Sequence, residues 1–206
     1  EGIYGESPYK SPTDMGVNMI GFCLSDEEVC SDAARAEIIR RHYDALNRYA
    51  LGADNENEVN KIALIMKQAK LTTDYRKPTI AARERKEQWN CPAAAIELHD
   101  GTIIKAGSSE LLGPSAALIL NATKHLAGIS HEVKLIPQSM IEPIQRTKVS
   151  FLHGHNPRLH TDEVLIALSI SAATNAEAEK AMEQLDKLRG CDVHSSVILS
   201  SVDEKI

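Results

Sequence analysis

The densest group of side chains able to do chemistry lies at residues 153–163, which read HGHNPRLHTDE. His160 could donate or accept a proton while Asp162 orients its ring, so these two are candidate catalytic residues. Arg158 could hold a phosphate or carboxylate group through two parallel hydrogen bonds. The segment leads into a predicted helix, and the free backbone N–H groups at a helix N-terminus favour an anion. The candidate anion-binding residues of this segment are Arg158, Asn156 and Thr161.

A purely structural interpretation of the same segment stays open. Thr161 could simply cap the helix. Asp162 and Glu163 could complement the positive end of the helix dipole, and Arg158 could pair with either acid. On this interpretation the segment holds a helix end in place and binds nothing.

A metal-binding interpretation is also open for the histidines. His153 and His155, with His160 and Asp162, are residue types that bind zinc. No second cluster at ligand spacing accompanies them, and we therefore predict no metal site.

A second candidate site is Gly107-Ser108-Ser109, which lies between a predicted strand and an apolar helix. A strand, a small flexible turn and a helix N-terminus together favour anion binding, with Ser108 and Ser109 as the donors. The Gly-Lys-Ser/Thr ending of a phosphate-binding P-loop is absent. An ordinary capped helix start, with Pro114 in its first turn, explains the same pattern.

The third candidate is the segment Tyr4–Gly16, which mixes aromatic, polar, proline and glycine residues. Pro8 and Pro12 exclude a continuous helix, so we predict an extended segment that docks on another surface. Tyr9 and Lys10 are its candidate ligand-binding residues. A plain interdomain linker fits the composition equally well.

The elements that position these residues follow from periodicity and turn signals. Asp100-Gly101 between two short apolar runs predicts a β-hairpin at about 93–106, and a late strand is expected at about 193–202. The rest of the pattern is mostly helical, so the predicted fold class is α+β with a small sheet. The expected helices are 26–50, 55–70, one ending near 89, 111–126, 138–144, 161–173 and 176–188. The predicted domains are an extended docking segment at 1–22, a helical region at 23–90 and an α+β domain at 91–206.

Composition narrows the functional classes. The 206 residues carry a net charge of −6 and only 4% aromatic residues, so neither a basic face nor stacking platforms for nucleic acid are expected. The four cysteines form no CxxC pair, and there is no signal peptide or apolar run long enough to span a bilayer. These features predict a cytoplasmic protein with neither a nucleic-acid nor a membrane partner. Glu1 and the abrupt end at Ile206 suggest a piece of a longer chain.

Five long stretches together resemble one family. They are YGESPYKSPTDMGVNM at 4–19, EIIRRHY at 37–43, PAAAIEL at 92–98, NPRLHTDEVLIALSISAATN at 156–175 and KLRGCDVHSSVILSSVDE at 187–204. The chain is similar throughout to the bacterial family of domain of unknown function 1846, also called uncharacterised protein family 0371. Arg158, His160 and Asp162 lie inside one matching block. His153 and His155 lie outside it, and the family pattern does not usually have a His-x-His there.

The resemblance implies the C-terminal region of a protein more than twice this length. It also implies an N-terminal part with α/β nucleotide-binding architecture and a glycine-rich stretch. It supplies no activity, cofactor or catalytic residue. Two functions are therefore expected as alternatives. One is the C-terminal domain of a nucleotide- or phosphate-dependent enzyme, with a site shared with that N-terminal domain. The other is a structural or oligomerisation domain, with a second copy of the chain as partner.

Overall fold

The computed structural model describes residues 26–53 and 55–204. The chain divides into two compact units, Glu1–Tyr75 (unit 1) and Arg76–Ile206 (unit 2). The Tyr4–Gly16 segment, with Tyr9 and Lys10, lies outside the described residues, as does Cys23. The domain limits proposed from sequence, after residues 22 and 90, stay proposals.

In the part of unit 1 that the structure describes, two helices, α1 (Glu27–Ala50) and α2 (Glu56–Gln68), are followed by a 3₁₀ turn at Thr73–Tyr75. Each helix begins at a side-chain cap: the Asp26 carboxylate accepts from Val29 N at 3.0 Å, and the Asn55 side chain accepts from Asn57 N at 3.1 Å. Ile39 and Met66 are the large apolar side chains buried in this unit.

Unit 2 begins with α3 (Lys77–Trp89), in which Pro78 occupies the first turn, where its missing N–H costs nothing. A hairpin of β1 (Ala93–Glu97) and β2 (Ile103–Gly107) follows. Four further helices and a final strand complete the unit. They are α4 (Pro114–Leu126), α5 (Gln138–Ser150), α6 (Thr161–Ala172), α7 (Ala176–Met182) and β3 (Asp192–Ser195).

The sheet has the order β2-β1-β3, and both pairings are antiparallel. Successive residues of β1 point to opposite faces, so Ala95 packs with Ala81 and Ala82 of α3 while Ala94 lies in the core that includes Leu118 of α4. The alanines of β1 are fully buried because small side chains allow helices to approach both faces. The predicted α+β fold class, mostly helical with a small sheet, is confirmed.

A second, larger apolar core joins α4, α5, α6 and α7 away from the sheet. Its fully buried members include Leu159, Val164, Ala167 and Leu168. Leu159 belongs to the loop that precedes α6, so this loop is fixed by burial of its own side chain.

Several predicted element limits were wrong. The helix expected at 138–144 continues to Ser150, and the helix expected at 176–188 ends at Met182, before a 3₁₀ turn at Leu185–Leu188. The last strand ends at Ser195 and not near 202, because the Ser196 hydroxyl accepts from Ala93 N at 2.9 Å and the chain then leaves the sheet. The helix expected from Leu111 begins at Pro114, with Gly113 as its N-cap. Leu112 is instead extended and forms a parallel β-bridge with Leu159.

An ion pair between the buried Arg76 and the partly exposed Asp192 holds β3 against the start of α3. The guanidinium of Arg76, whose side chain is 4% exposed, binds the Asp192 carboxylate, with Nε 2.9 Å from Oδ2. Its Nη2 also donates to Val193 O at 3.1 Å. In residues 26–53 and 55–204, no helix is long and apolar enough to cross a membrane.

Candidate functional site

A cleft of about 190 Å³ lies in unit 2, beside the first turn of α4 and the loop that enters α6. Its polar lining residues are Ser108, Ser115, Asn156, Arg158, His160, Ser200 and Asp203. Its apolar lining residues include Pro92, Leu159, Val197, Ile198 and Leu199. Two segments that sequence analysis treated as separate candidate sites, 107–109 and 156–161, therefore meet in one cleft.

Backbone pairing brings these two segments together. Leu159 N donates to Leu111 O at 2.9 Å, and Gly113 N donates to Leu159 O at 3.0 Å. Because Leu159 is also fully buried, the loop from Asn156 to His160 is held firmly beside the N-terminus of α4.

Arg158 is positioned by its own loop and by the neighbouring turn. Its backbone N donates to Asn156 Oδ1 at 3.1 Å, and its Nε donates to Ser109 O at 2.6 Å. No carboxylate pairs with Arg158 within the described part of the chain. Glu163 instead pairs with Lys148 at 2.7 Å, so the expected pairing of Arg158 with the first-turn acids is absent.

The imidazole of His160 is held by a carboxylate from the C-terminal end of the described chain. His160 Nδ1 lies 3.0 Å from Asp203 Oδ2. The other carboxylate oxygen accepts from Thr161 N at 3.0 Å and from Thr161 Oγ1 at 2.6 Å. Ser200 Oγ donates to Oδ2 at 2.9 Å. Asp203 therefore occupies the N-terminus of α6, where the helix dipole favours negative charge.

The surroundings of Asp203 keep its carboxylate ionised. Burial raises the pKa of this group, but hydrogen bonds from Thr161, His160 and Ser200 outweigh burial and lower the pKa to about 2. An ionised carboxylate can only accept hydrogen bonds, so the proton on the neutral imidazole of His160 resides on Nδ1. Nε2 is then the nitrogen available for proton transfer.

The orienting carboxylate differs from the one that the sequence suggested. Asp162 was expected to orient His160, but its Oδ1 accepts from Glu163 N at 2.7 Å at the start of the helix. Asp203 holds that position. Ser200 Oγ lies 3.5 Å from the same Nδ1, whereas a nucleophilic serine would contact Nε2, so the group is not a Ser-His-Asp triad.

The two serines of the second candidate segment have different environments. Ser108 lines the cleft, and its backbone N donates to Pro92 O at 2.7 Å. The Ser109 hydroxyl accepts from Leu111 N at 3.2 Å and from Leu112 N at 3.1 Å. Ser109 thus stabilises the turn before α4 and does not cap the helix.

The remaining candidates lie elsewhere. Thr161 donates to the Asp203 carboxylate of the same chain, and its predicted role in ligand binding stays a prediction. His153 and His155 do not line the cleft. Across residues 26–53 and 55–204, no group of three His, Cys, Asp or Glu residues is placed to hold a metal ion. Tyr9 and Lys10 stay predictions.

Sequence reasoning missed Ser200 and Asp203. Ser200 was assigned to the predicted strand at 193–202 and Asp203 followed its end. Local patterns do not show that the chain returns to a helix 42 residues upstream. The only available signal was that both lie in the resembling block at 187–204.

Comparison with known proteins identifies the family. A family model described as "Domain of unknown function DUF1846, C-terminal" matches residues 74–206, and one described as "Domain of unknown function DUF1846, N-terminal" matches residues 1–70. The UPF0371 protein cu0538 of Corynebacterium urealyticum is 52% identical over all of this chain and 41% of the relative.

Relatives occur in other bacteria at similar identity. The UPF0371 protein DIP2346 of Corynebacterium diphtheriae is 50% identical over all of this chain and 41% of the relative. A UPF0371 protein of Streptococcus thermophilus is 45% identical over all of this chain and 42% of the relative. The chain thus spans about two fifths of the length of these relatives. It belongs to the DUF1846 family, whose domains are described as being of unknown function.

Proposed function

We propose that unit 2 binds a small phosphate-bearing ligand in this cleft, as the C-terminal part of a nucleotide- or phosphate-dependent enzyme. The observation that carries the proposal is that Arg158 and His160 line the same cleft. Arg158 has no carboxylate partner among the described residues, and His160 is held by an ionised carboxylate.

Arg158 is the proposed anchor for the phosphate. Its hydrogen bond to Ser109 O uses only Nε and fixes the direction of the side chain. The two terminal nitrogens then provide a pair of charge-assisted hydrogen bonds, which suit the oxygens of a phosphate. Ser108 and Ser115 add hydroxyl donors, and Asn156 adds an amide.

His160 is the proposed acid or base. Asp203 fixes the imidazole with Nε2 as the exchangeable nitrogen and would stabilise the charged ring after proton uptake. The role proposed for Asp162 is then indirect, since its carboxylate stabilises the first turn of α6.

The volume of the cleft limits how much of a ligand it can hold. Pockets that enclose drug-sized molecules have volumes of about 300–1,000 Å³, whereas this cleft has about 190 Å³. It therefore suits a phosphate group and a few further atoms. We propose that other parts of the longer protein complete the site.

Calorimetric titration of the 206-residue chain with methyl phosphate tests this proposal. Arg158→Gln should weaken binding about 10- to 100-fold, because a hydrogen bond to a charged group contributes about 1.5–3 kcal/mol. Arg189→Gln is the matched control, since its side chain is 85% exposed and lies outside the cleft. If Arg158→Gln and His160→Gln both leave binding unchanged, the proposal fails.

A second candidate function, a structural or oligomerisation domain, is favoured by the exposed face of α6. Ile166 and Ile170 are 59% and 55% exposed on a helix whose other side is buried in the core. A groove that includes Ser169 of this helix is lined by apolar and acidic side chains, namely Ala172, Ala173, Met182, Glu179 and Glu183. A helix that is apolar on all sides is usually covered in a folded protein.

Sedimentation analysis distinguishes this second function. If a second copy covers the α6 face, the chain should sediment as an oligomer, and the double substitution Ile166→Asp with Ile170→Asp should yield monomers. Phe151→Asp provides a control at a side chain that is 73% exposed outside α6. A monomeric parent chain would exclude self-association through α6.

A further inference from the structure

We infer that the part of the ligand held by this cleft is a short-chain alkyl phosphate monoester, with one phosphoryl group and about three carbons of aliphatic chain. This inference rests on the proposed phosphate-binding function and specifies its substrate class. It follows from three properties of the cleft: the number of cations, the apolar lining and the volume.

The described lining residues of the cleft supply a single permanent positive charge. Arg158 is the only lysine or arginine among those described residues. His160 is paired with Asp203, so the net charge of these two groups does not favour a second anion. A second phosphoryl group would lie near the Asp203 carboxylate without a cation of its own. The site therefore favours a monophosphate over a diphosphate or triphosphate.

The lining also includes apolar residues that a bare phosphate would not use. Val197 and Ile198 are 39% and 44% exposed, and Leu199 and Pro92 line the same cleft. Val197 and Ile198 follow the end of β3, so exposure of these two successive apolar residues is not a requirement of the sheet. An aliphatic group on the ligand would remove this surface from water.

The volume sets the length of that group. A protein cavity of about 150 Å³ accommodates benzene, which has six carbon atoms. A cleft of about 190 Å³ then accommodates roughly eight non-hydrogen atoms. n-Propyl phosphate has that size, with one phosphorus, four oxygens and three carbons. The phosphoryl group lies at Arg158, and the propyl group lies at Val197 and Ile198.

The test compares methyl phosphate with n-propyl phosphate by calorimetric titration of the 206-residue chain. Both have the same charged group, so their affinity ratio reports the aliphatic contact alone. Each buried methylene strengthens binding about fourfold, and two additional methylenes therefore predict n-propyl phosphate to bind about 15-fold more tightly. Adenosine diphosphate should bind more weakly than n-propyl phosphate.

Two variants test whether the preference for n-propyl phosphate over methyl phosphate arises in the cleft. Ile198→Thr should reduce the affinity ratio several-fold while methyl phosphate still binds. Val193→Thr is the matched control, because Val193 is also 44% exposed but lies outside the cleft. The affinity ratio of n-propyl to methyl phosphate for Val193→Thr should match that of the parent chain.

The failures of the two proposals are distinguishable. If methyl and n-propyl phosphate bind equally and Arg158→Gln weakens both, the alkyl specificity is wrong and the phosphate site stands. A ratio that Ile198→Thr leaves unchanged also overturns the alkyl specificity. If neither compound binds, both proposals are wrong.

Discussion

Replacing Asp203 by asparagine should destabilise unit 2, because this carboxylate lies at the N-terminus of α6. Its carboxylate accepts hydrogen bonds from the backbone and hydroxyl of Thr161, and it also contacts Nδ1 of His160. Asparagine keeps the shape and one acceptor oxygen, but it loses the negative charge at the N-terminus of α6. The substitution therefore isolates the contribution of the charge.

The pKa of Asp203 provides the magnitude. Although burial raises it, the hydrogen bonds from Thr161, His160 and Ser200 lower it from an ordinary value of 3.8 to about 2. Each tenfold change in proton affinity corresponds to about 1.4 kcal/mol. The ionised carboxylate therefore contributes about 2 kcal/mol to the free energy of unfolding at pH 7. The side chain is only 12% exposed, so screening by solvent reduces this value little.

Urea unfolding followed by the fluorescence of Trp89 measures this contribution, because the only tryptophan lies in unit 2. Asp203→Asn should reduce the free energy of unfolding by about 2 kcal/mol at pH 7. Asp186→Asn is the control, since this carboxylate is 86% exposed and its ion pair with Arg189 contributes little.

The pH dependence has a defined sign. The folded pKa lies below the unfolded pKa, so the stabilisation is complete above about pH 4 and is lost as the pH falls towards 2. The difference between the parent chain and Asp203→Asn should shrink to about 1 kcal/mol at pH 3. Equal stability of the two proteins at pH 7, or a difference independent of pH, would refute the assignment of the charge to this site.

Three further predictions concern the rest of unit 2. Asp192→Ala should reduce the free energy of unfolding by about 3 kcal/mol, because it leaves the buried guanidinium of Arg76 unpaired. Urea unfolding measures this loss, and a loss below 1 kcal/mol would contradict the prediction. Burial and the charge of Arg76 lower the pKa of His194 to about 4. Stability should fall by about 3 kcal/mol between pH 6.5 and 4, because His194 takes up a proton in the unfolded state while it stays neutral in the folded state. His194→Gln should remove most of this loss in thermal unfolding scans. Gly107→Ala would place a Cβ atom 2.9 Å from Cys91 Sγ and should lower the unfolding free energy by about 1 kcal/mol. A stabilised variant would show that the surroundings of Gly107 accommodate the added methyl group and would contradict the prediction.

The hairpin was predictable because its signal is local. Asp100 Oδ1 accepts from Thr102 N at 2.9 Å, and Gly101 has a φ of +82°, which glycine adopts without strain. The hydrogen bond and the glycine conformation both lie within the four-residue turn. The Asp-Gly sequence is therefore sufficient to predict the hairpin.

The site was only partly predictable because its closing contacts are distant in sequence. Arg158 and His160 were identified from residue type and loop position, and both line the cleft. The hydrogen bond between His160 and Asp203 joins residues 43 positions apart. The local sequence suggested Asp162 as the partner of His160, because the two residues are only two positions apart. In the structure, the Asp162 carboxylate accepts from the backbone N of Glu163 instead.

The claim that the cleft binds a phosphate ligand is tested most directly by NMR titration of the 206-residue chain with n-propyl phosphate. Saturable changes in backbone amide shifts are expected at Ser108, Arg158 and His160, which line the cleft. Arg158→Gln should abolish these changes at the same ligand concentration. Saturable changes confined to the groove beside α6 and α7, or no saturable change at any residue, would contradict the account.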